Sequence, residues 1–357
     1  MIEQNEKSTD LDLEKIESEE EDLDIDDAPY EIRTQGADFT LELLSQKVGT
    51  NEILIPDFQR KYVWPIKKAS KLIESFLLGL PVPQIFLYQE AKDRDLLVVD
   101  GQQRLLSSFF FLRGLVEDGK TEFRLRGVKQ KWEGKTFKDL DEGDKRRLKN
   151  YILRATIFEQ IDPADNKSVY EIFERLNTGG MPLTEQEVRN CVNRGNINAF
   201  LAKINLGKSW RLLLGKSNPD RRMKDIEMIL RVFALFEGWE SYKKPMKDFI
   251  STFMEKYKDI SDKDQTRLSK IFESATDFIY KEIGNDAFRL SGGRINIAVL
   301  DSVLTAVALS GYKKASNFKS KLENVKKQDG YLGYVSNATT DEDSVKGRIK
   351  MVLETFA

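Results

Sequence analysis

Five consecutive residues with side chains suited to phosphate chemistry lie between two apolar stretches, in VVDGQQRL at 98–105. The apolar run before them predicts a strand that ends near Val99, and the apolar stretch after them predicts a helix from about Gln102. A helix N-terminus presents unpaired backbone N–H groups and positive dipole charge, so this junction is typical of an anion site. Gly101 would let the backbone approach a ligand closely, and Arg104 could bond a phosphate through two N–H groups.

The other side chains of this run suit a metal-dependent phosphate site. Asp100 could hold a hard cation such as Mg²⁺, directly or through water. Gln102 and Gln103 could bond a phosphate, a sugar or an attacking water. A structural interpretation also fits these residues: Asp100 would cap the helix and Arg104 would form an ion pair with it.

A second motif, FQRKYVW at 58–64, places Gln59 and Arg60 between aromatic residues. Basic and polar side chains beside aromatic rings suit a nucleotide or a single strand of nucleic acid. The alternative is a loop that Phe58, Tyr62 and Trp64 fix by packing into the core.

A third motif, FERLNTGGMPLTEQEVRN at 173–190, contains Asn177, Gly179 and Gly180. These residues predict a helix C-terminus that turns sharply in the left-handed conformation. Such a loop could close over a ligand, or it could simply connect two helices. Thr184 and Glu187 form a capping-box pattern and predict a new helix there.

The composition excludes several classes of chemistry. The 357 residues include no histidine and one cysteine, Cys191. Nucleophilic systems that need histidine are therefore excluded, as are nearly all zinc sites. A metal-dependent nuclease core of Asp57, Glu90 and Lys92 remains a loose match, because such short patterns arise often by chance.

The distribution of charge predicts a polyanionic partner. Residues 1–30 carry 13 acidic residues and two lysines, a net charge of −11, while the remainder carries +9. A basic body suits polyanions such as nucleic acid or nucleotides. The lack of any run of 18 apolar residues predicts no membrane span, the acidic start predicts no signal peptide, and a lone cysteine fits the cytoplasm.

The predicted organisation has three parts: a disordered acidic tail at 1–30, a mixed domain at 38–180 and an α-helical domain at 181–357. Apolar spacing predicts helices at 39–49, 66–78, 102–113 and 166–178, the last of them stopped by Gly179 and Gly180. β-rich runs predict strands at 84–90, 96–100 and 151–161, and alternation predicts another at 121–128.

The three motifs, in this order, resemble the N-terminal domain family of the GmrSD-type modification-dependent restriction endonucleases. The resemblance covers roughly residues 38–195, with weaker similarity through the helical part to SVKGRIKMVLE near the end, and the DGQQR signature stands unbroken at 100–104. It implies an α+β class with a ParB/sulfiredoxin-like N-terminal domain followed by a helical domain.

The resemblance also implies binding or hydrolysis of a nucleoside triphosphate with Mg²⁺, in bacterial defence against phage DNA. By that resemblance the nucleotide site consists of the DGQQR residues with two flanking groups: Asp100, Gly101, Gln102, Gln103 and Arg104; Gln59 and Arg60; Asn177, Gly179 and Gly180. Asp100, Gln103 and Arg104 would be catalytic. Many relatives carry a His-Asn-His nuclease domain, which a chain without histidine cannot contain in working form, so a separate nuclease subunit is expected. A non-catalytic nucleotide switch that recruits a nuclease remains the alternative.

Overall fold

The computed structural model describes Leu11, Leu13 and residues 31–55, 62–89, 95–162, 167–176, 184–290, 293–311 and 316–356. The chain divides into two compact units. One is an α/β unit, Asp27–Leu183, and the other is a helical unit that contains Thr184–Ala357 together with the N-terminal segment.

A five-stranded mixed sheet forms the centre of the α/β unit, in the order β1-β5-β3-β4-β2. β3 lies in the middle, antiparallel to β4 and parallel to β5. β2 pairs with β4 in parallel, and β1 pairs with β5 in antiparallel fashion. The strand bounds are Glu31–Thr40 (β1), Ile53–Leu54 (β2), Ile85–Gln89 (β3), Leu96–Asp100 (β4) and Ile152–Asp162 (β5).

Five helices accompany this sheet in the described part of the unit, and apolar side chains of the first four pack with those of the strands in its core. The bounds are Leu41–Gly49 (α1), Ile66–Leu78 (α2), Gln102–Arg113 (α3), Glu142–Lys149 (α4) and Lys167–Leu176 (α5). Thr40 caps α1 by accepting a hydrogen bond from the N–H of Leu43, and Gly79 ends α2 in the left-handed conformation. The predicted helices at 39–49, 66–78 and 102–113 are therefore confirmed. The helix predicted at 166–178 is confirmed over Lys167–Leu176, and its predicted end lies outside the described residues.

The predicted strand at 121–128 is wrong. Phe123 and Leu125 are fully buried, as the alternation implies. Their backbone groups, however, bond to a tight loop rather than to a neighbouring strand: the N–H of Leu125 donates to the carbonyl of Lys135, and the N–H of Gly134 donates to the carbonyl of Leu125. Alternation reports which side chains are buried, and it does not report where the backbone hydrogen bonds go.

The helical unit contains ten α-helices and two 3₁₀-helices among its described residues. The bounds are Glu185–Val192 (α6), Asn196–Ile204 (α7), Lys208–Leu214 (α8), Lys224–Gly238 (α9), Met246–Lys256 (α10), Asp262–Glu282 (α11), Ile297–Ser310 (α12), Phe318–Val325 (α13), Asp329–Ser336 (α14) and Glu342–Leu353 (α15), with 3₁₀ turns at Trp239–Ser241 and Glu354–Phe356. The predicted capping box is present, because Thr184 and Glu187 bond each other's backbone N–H at the start of α6.

The helical core also includes a residue from the stretch predicted to be a disordered tail. Leu11 is buried with 6% of its surface exposed, and its N–H donates to Asp220 Oδ2 over 3.0 Å. Leu13 forms a parallel bridge with Ile295. At these two residues the prediction of disorder is wrong, because apolar side chains in an acidic segment can still be buried.

None of the helices in the described part of the chain has both the length and the apolar character needed to cross a membrane.

Candidate functional site

The DGQQR residues lie at the point where β4 ends and α3 begins, as their sequence context predicts. Asp100 is the last residue of β4 and is paired with Phe86 of β3. Gly101 adopts φ 93°, ψ 9°, and α3 starts at Gln102. Gly101 has no side chain that could accept hydrogen bonds from the first turn of the helix, so the polar end of α3 is not capped by its own N-cap residue.

Packing within the protein explains the glycine at 101. A Cβ atom there would lie 2.4 Å from Ile85 Cγ2 and 3.0 Å from Arg104 Nη2. The positive φ adds strain for any residue with a side chain. The space beside Gly101 is therefore occupied by Ile85 and Arg104, whereas the sequence pattern suggests a close approach to a ligand.

Arg104 is held in place by two acceptors. Its Nη2 donates to Asp100 Oδ2 over 2.6 Å and to the backbone carbonyl of Gln84 over 3.0 Å. The Arg104 side chain is 17% exposed and that of Asp100 is 36% exposed. The ion pair of the structural interpretation is thus present, but Asp100 is not the helix cap, because Gly101 occupies that position.

Two buried nitrogen atoms of this loop have no hydrogen-bond partner among the described residues. They are Nε of Arg104 and Nε2 of Gln102. A buried donor without an acceptor costs roughly 1–3 kcal/mol, so native structures almost always provide a partner. Both donors would be satisfied by an acceptor-rich ligand such as a phosphate, or by water.

The side-chain oxygen of Gln103 accepts hydrogen bonds from backbone N–H groups. This atom, Oε1, accepts from the N–H of Val63 over 3.1 Å and from the N–H of Trp64 over 3.2 Å. The Gln103 carbonyl accepts from the Ser107 hydroxyl, which also bonds Tyr62 Oη over 2.8 Å. The DGQQR helix and the end of the FQRKYVW motif are therefore joined through two polar side chains.

The environment of Tyr62 keeps its hydroxyl protonated. Burial raises the pKa of Tyr62, and the negative charge of Glu117 raises it further, while the hydrogen bond with Ser107 opposes both. Glu117 also accepts from the backbone N–H of Tyr62 over 3.3 Å. Tyr62 consequently acts here as a neutral hydrogen-bonding and packing group, with its ring edge against Phe110.

Several predicted site residues lie outside the described residues. They are Gln59 and Arg60 of the second motif, Asn177, Gly179 and Gly180 of the third, and Asp57, Glu90 and Lys92 of the loose nuclease match. Sequence reasoning also missed Gln84 and Ser107. Gln84 acts through its backbone carbonyl, for which no side-chain pattern exists.

The described residues do not form a complete metal site by themselves. No group of three or more Asp, Glu or Cys side chains within that set is arranged as a metal site. Asp100 is thus the one predicted ligand, with Oδ2 bonded to Arg104. Mg²⁺ is commonly bound by one or two carboxylates plus substrate phosphates, so Asp100 fits an ion that arrives with a nucleotide.

A comparison with protein families finds a match for the part of the chain that contains this loop. The family model described as "GmrSD restriction endonuclease, N-terminal domain" matches residues 41–192. This part of the chain is therefore similar to the GmrSD N-terminal domain. The match begins at α1, includes the whole sheet except β1, and ends with α6. The family indicates a role in a restriction system. A search of curated proteins gives no match.

Proposed function

We propose that the chain binds and hydrolyses a nucleoside triphosphate with Mg²⁺, as a cytoplasmic subunit of a modification-dependent restriction system that acts on DNA. The observation that carries this proposal is the pair of unpartnered buried donors, Arg104 Nε and Gln102 Nε2, at the open end of α3. Together with the helix dipole they form a set of donors that a phosphate would satisfy.

Three residues of the loop have distinct roles in this proposal. Asp100 orients Arg104 and offers its carboxylate to the cation. Arg104 stabilises negative charge that develops on the phosphate oxygens, and Gln102 donates a further hydrogen bond. When bound, Mg²⁺ would neutralise phosphate charge and orient the leaving group. We also propose that the α/β unit has a ParB/sulfiredoxin-like fold. The mixed sheet and this strand-to-helix loop support that assignment.

Cleavage of DNA would come from a separate nuclease subunit, because the sequence has no histidine for a His-Asn-His centre. The excess of basic residues after residue 30 would hold DNA through its phosphates. This chain would then recognise the DNA, and its bound nucleotide would control the nuclease subunit.

A nucleotide switch without hydrolysis is a second candidate, and Gln103 favours it. A residue that positions an attacking water needs a polar end that faces the phosphate. The Gln103 oxygen instead holds the backbone of Val63 and Trp64. Nucleotide binding with no phosphate release would select this candidate.

The test is nucleotide binding and phosphate release with each of the four ribonucleoside triphosphates and Mg²⁺, for the wild type, Arg104→Ala and Arg104→Lys. We expect Arg104→Ala to lower phosphate release by about 100- to 1,000-fold, the usual effect of removing one transition-state donor. Arg104→Lys should restore little of the phosphate release, because an ammonium group cannot make both the bond to Asp100 and the two parallel bonds of a guanidinium group.

Arg113→Ala is the matched control. Arg113 is an exposed arginine in the last turn of the same helix, and its guanidinium lies over the Phe109 ring at 5.1 Å. It should leave turnover unchanged. Equal turnover in Arg104→Ala and the wild type, at equal thermal stability, would reject a catalytic role for the loop.

A further inference from the structure

A concave basic surface lies on the α/β unit and is formed by residues other than those of the DGQQR loop. It is a cleft of about 440 Å³ lined by four basic side chains and one acidic side chain: Lys138, Lys145, Arg146, Lys149 and Glu142. Phe137 and Asn150 complete the lining. We refer to it as the α4 cleft.

The scaffold of the α4 cleft is well anchored. The Asp141 side chain caps α4 by accepting from the N–H of Asp144 over 2.8 Å. Asp144 is buried and accepts from Trp132 Nε1 over 2.7 Å, and Leu148 is fully buried. Arg147, on the same helix, donates to the carbonyl of Leu77. Three of the basic side chains, Lys145, Arg146 and Lys149, therefore project from a helix whose position is fixed by core contacts, and Lys138 lies in the segment before it.

Two of the four basic side chains are held by acidic partners and two are not. Lys145 pairs with Glu142 over 2.9 Å and Lys149 pairs with Glu42 over 2.8 Å. Lys138 and Arg146 are exposed, and neither forms an ion pair within the described part of the chain. Exposed basic side chains that share one cleft repel each other, so their grouping favours an anionic partner.

Helix stability explains only part of this grouping. Basic residues in the last turn of α4, including Arg146 and Lys149, interact favourably with the negative end of the helix dipole. Lys138 precedes the N-cap Asp141, where the dipole is positive, so it gains nothing from α4. The helix dipole therefore does not explain why Lys138 lies in the same cleft as the basic residues of α4.

We propose that the α4 cleft binds the phosphate backbone of DNA. Lysine and arginine side chains supply most sequence-independent contacts to DNA phosphates. A protein partner would need apolar anchors at the centre of its interface, and Phe137 is the one apolar residue in the lining. The proposal rests on the DNA-holding part of the proposed function and assigns it a surface.

The test is binding of a short fluorescent DNA duplex over a range of salt concentrations, with the full chain and the double variant Lys138→Ala/Arg146→Ala. Loss of two phosphate contacts should make the slope of log K against log salt shallower by about 2. At 0.1 M salt, the same counterion-release argument gives a roughly 50-fold weaker affinity. The charge-preserving variant Lys138→Arg/Arg146→Lys should bind within about threefold of the wild type, because each phosphate contact needs only a positive charge.

Lys120→Ala/Arg126→Ala is the matched control. It removes the same two residue types from exposed positions of the same unit that do not line the α4 cleft. It should leave the salt slope close to that of the wild type. Phosphate release by all variants should be equal, which checks that they fold.

The outcomes separate the two proposals. Equal DNA binding by the wild type and the cleft variant overturns the assignment of the cleft but leaves the DNA-holding function in place. A wild type that binds no duplex overturns both. If the cleft variant keeps its DNA affinity but loses binding to poly-glutamate, the cleft belongs to an acidic protein partner and the proposal is wrong.

Discussion

Gly101 is the residue on which the geometry of the DGQQR loop depends. Its positive φ turns the chain from β4 into α3, and the space beside its Cα is filled by Ile85 and Arg104. A side chain at this position would press on the guanidinium that Asp100 orients. The loop therefore has one conformation in which Arg104 is correctly held, and glycine is the residue that allows it.

We expect Gly101→Ala to destabilise the α/β unit by about 2–5 kcal/mol, through backbone strain and overpacking against Ile85 together. Gly119→Ala is the matched control, because Gly119 also has a positive φ, 66°, but a Cβ atom there would meet no other atom within 4 Å. Gly119→Ala should lower the free energy of unfolding by about 1–2 kcal/mol, because it adds backbone strain but no close contact. Urea denaturation measures both, and equal losses would show that the contact with Ile85 is unimportant.

At the scale of elements, α2 holds the irregular segment that alternation predicts to be a strand. Glu74, 7% exposed, accepts from Lys129 N–H over 2.6 Å and from Lys71 Nζ over 2.8 Å. Ser70 of the same helix accepts from the N–H of Arg126. Polar side chains of a helix thus replace the neighbouring strand that these backbone groups lack.

These bonds make the stability of this region depend on pH. Burial raises the pKa of Glu74, but the hydrogen bonds from Lys71 and Lys129 and their charges outweigh burial, so its pKa lies below 4.5. A carboxyl group with a lowered folded-state pKa stabilises the fold at higher pH, and this contribution is lost as the pH falls through that pKa.

We expect Glu74→Gln to be about 1–2 kcal/mol less stable than the wild type at pH 7, because a charged hydrogen bond is replaced by a neutral one. The difference should shrink as the pH falls below 4.5. Denaturation midpoints of both proteins at several pH values test this. The exposed Glu31 provides the control, since Glu31→Gln at pH 7 should change the free energy of unfolding by no more than about 0.5 kcal/mol. A constant gap for Glu74→Gln down to about pH 3 would contradict the argument, because a carboxylate with a lowered pKa must still lose its charge on acidification.

Local signals explain which elements could be predicted. The end of α1 at Gly49 and the Thr184–Glu187 capping box are encoded within a few residues, so both were predictable. The segment 121–128 was not, because the acceptor of the Arg126 N–H, Ser70, lies 56 residues earlier in the sequence. The same holds for the site: the Asp100–Arg104 pair spans one helical turn, whereas the Gln84 carbonyl has no sequence signature.

At the scale of the whole molecule, the helical unit is assembled from two parts of the sequence. Leu11 and Leu13 contact residues that follow the α/β unit, namely Asp220 and Ile295. The acidic segment is thus attached to the helical unit at these two points. A deletion of residues 1–30 would remove this attachment as well as the acidic charge, so it would not test the charge alone.

We expect Leu11→Ala to destabilise the helical unit by about 2–5 kcal/mol, the usual range for truncation of a buried leucine. Leu206→Ala is the control, since Leu206 is 63% exposed in the same unit. It should change stability by no more than about 0.5 kcal/mol. Hydrogen exchange of the α9 amides would locate the effect, and unchanged exchange in Leu11→Ala would show that the contact is dispensable.

The attachment of Leu11 also sets an order of events during translation. The Leu11 amide and its acceptor Asp220 are 209 residues apart. A ribosome that adds about 5–20 residues per second separates their appearance by roughly 10 to 40 s. The α/β unit, Asp27–Leu183, is synthesised within that interval, while the Leu11 amide still lacks its acceptor Asp220. The helical unit can therefore bury Leu11 only after more than half of the chain has been synthesised.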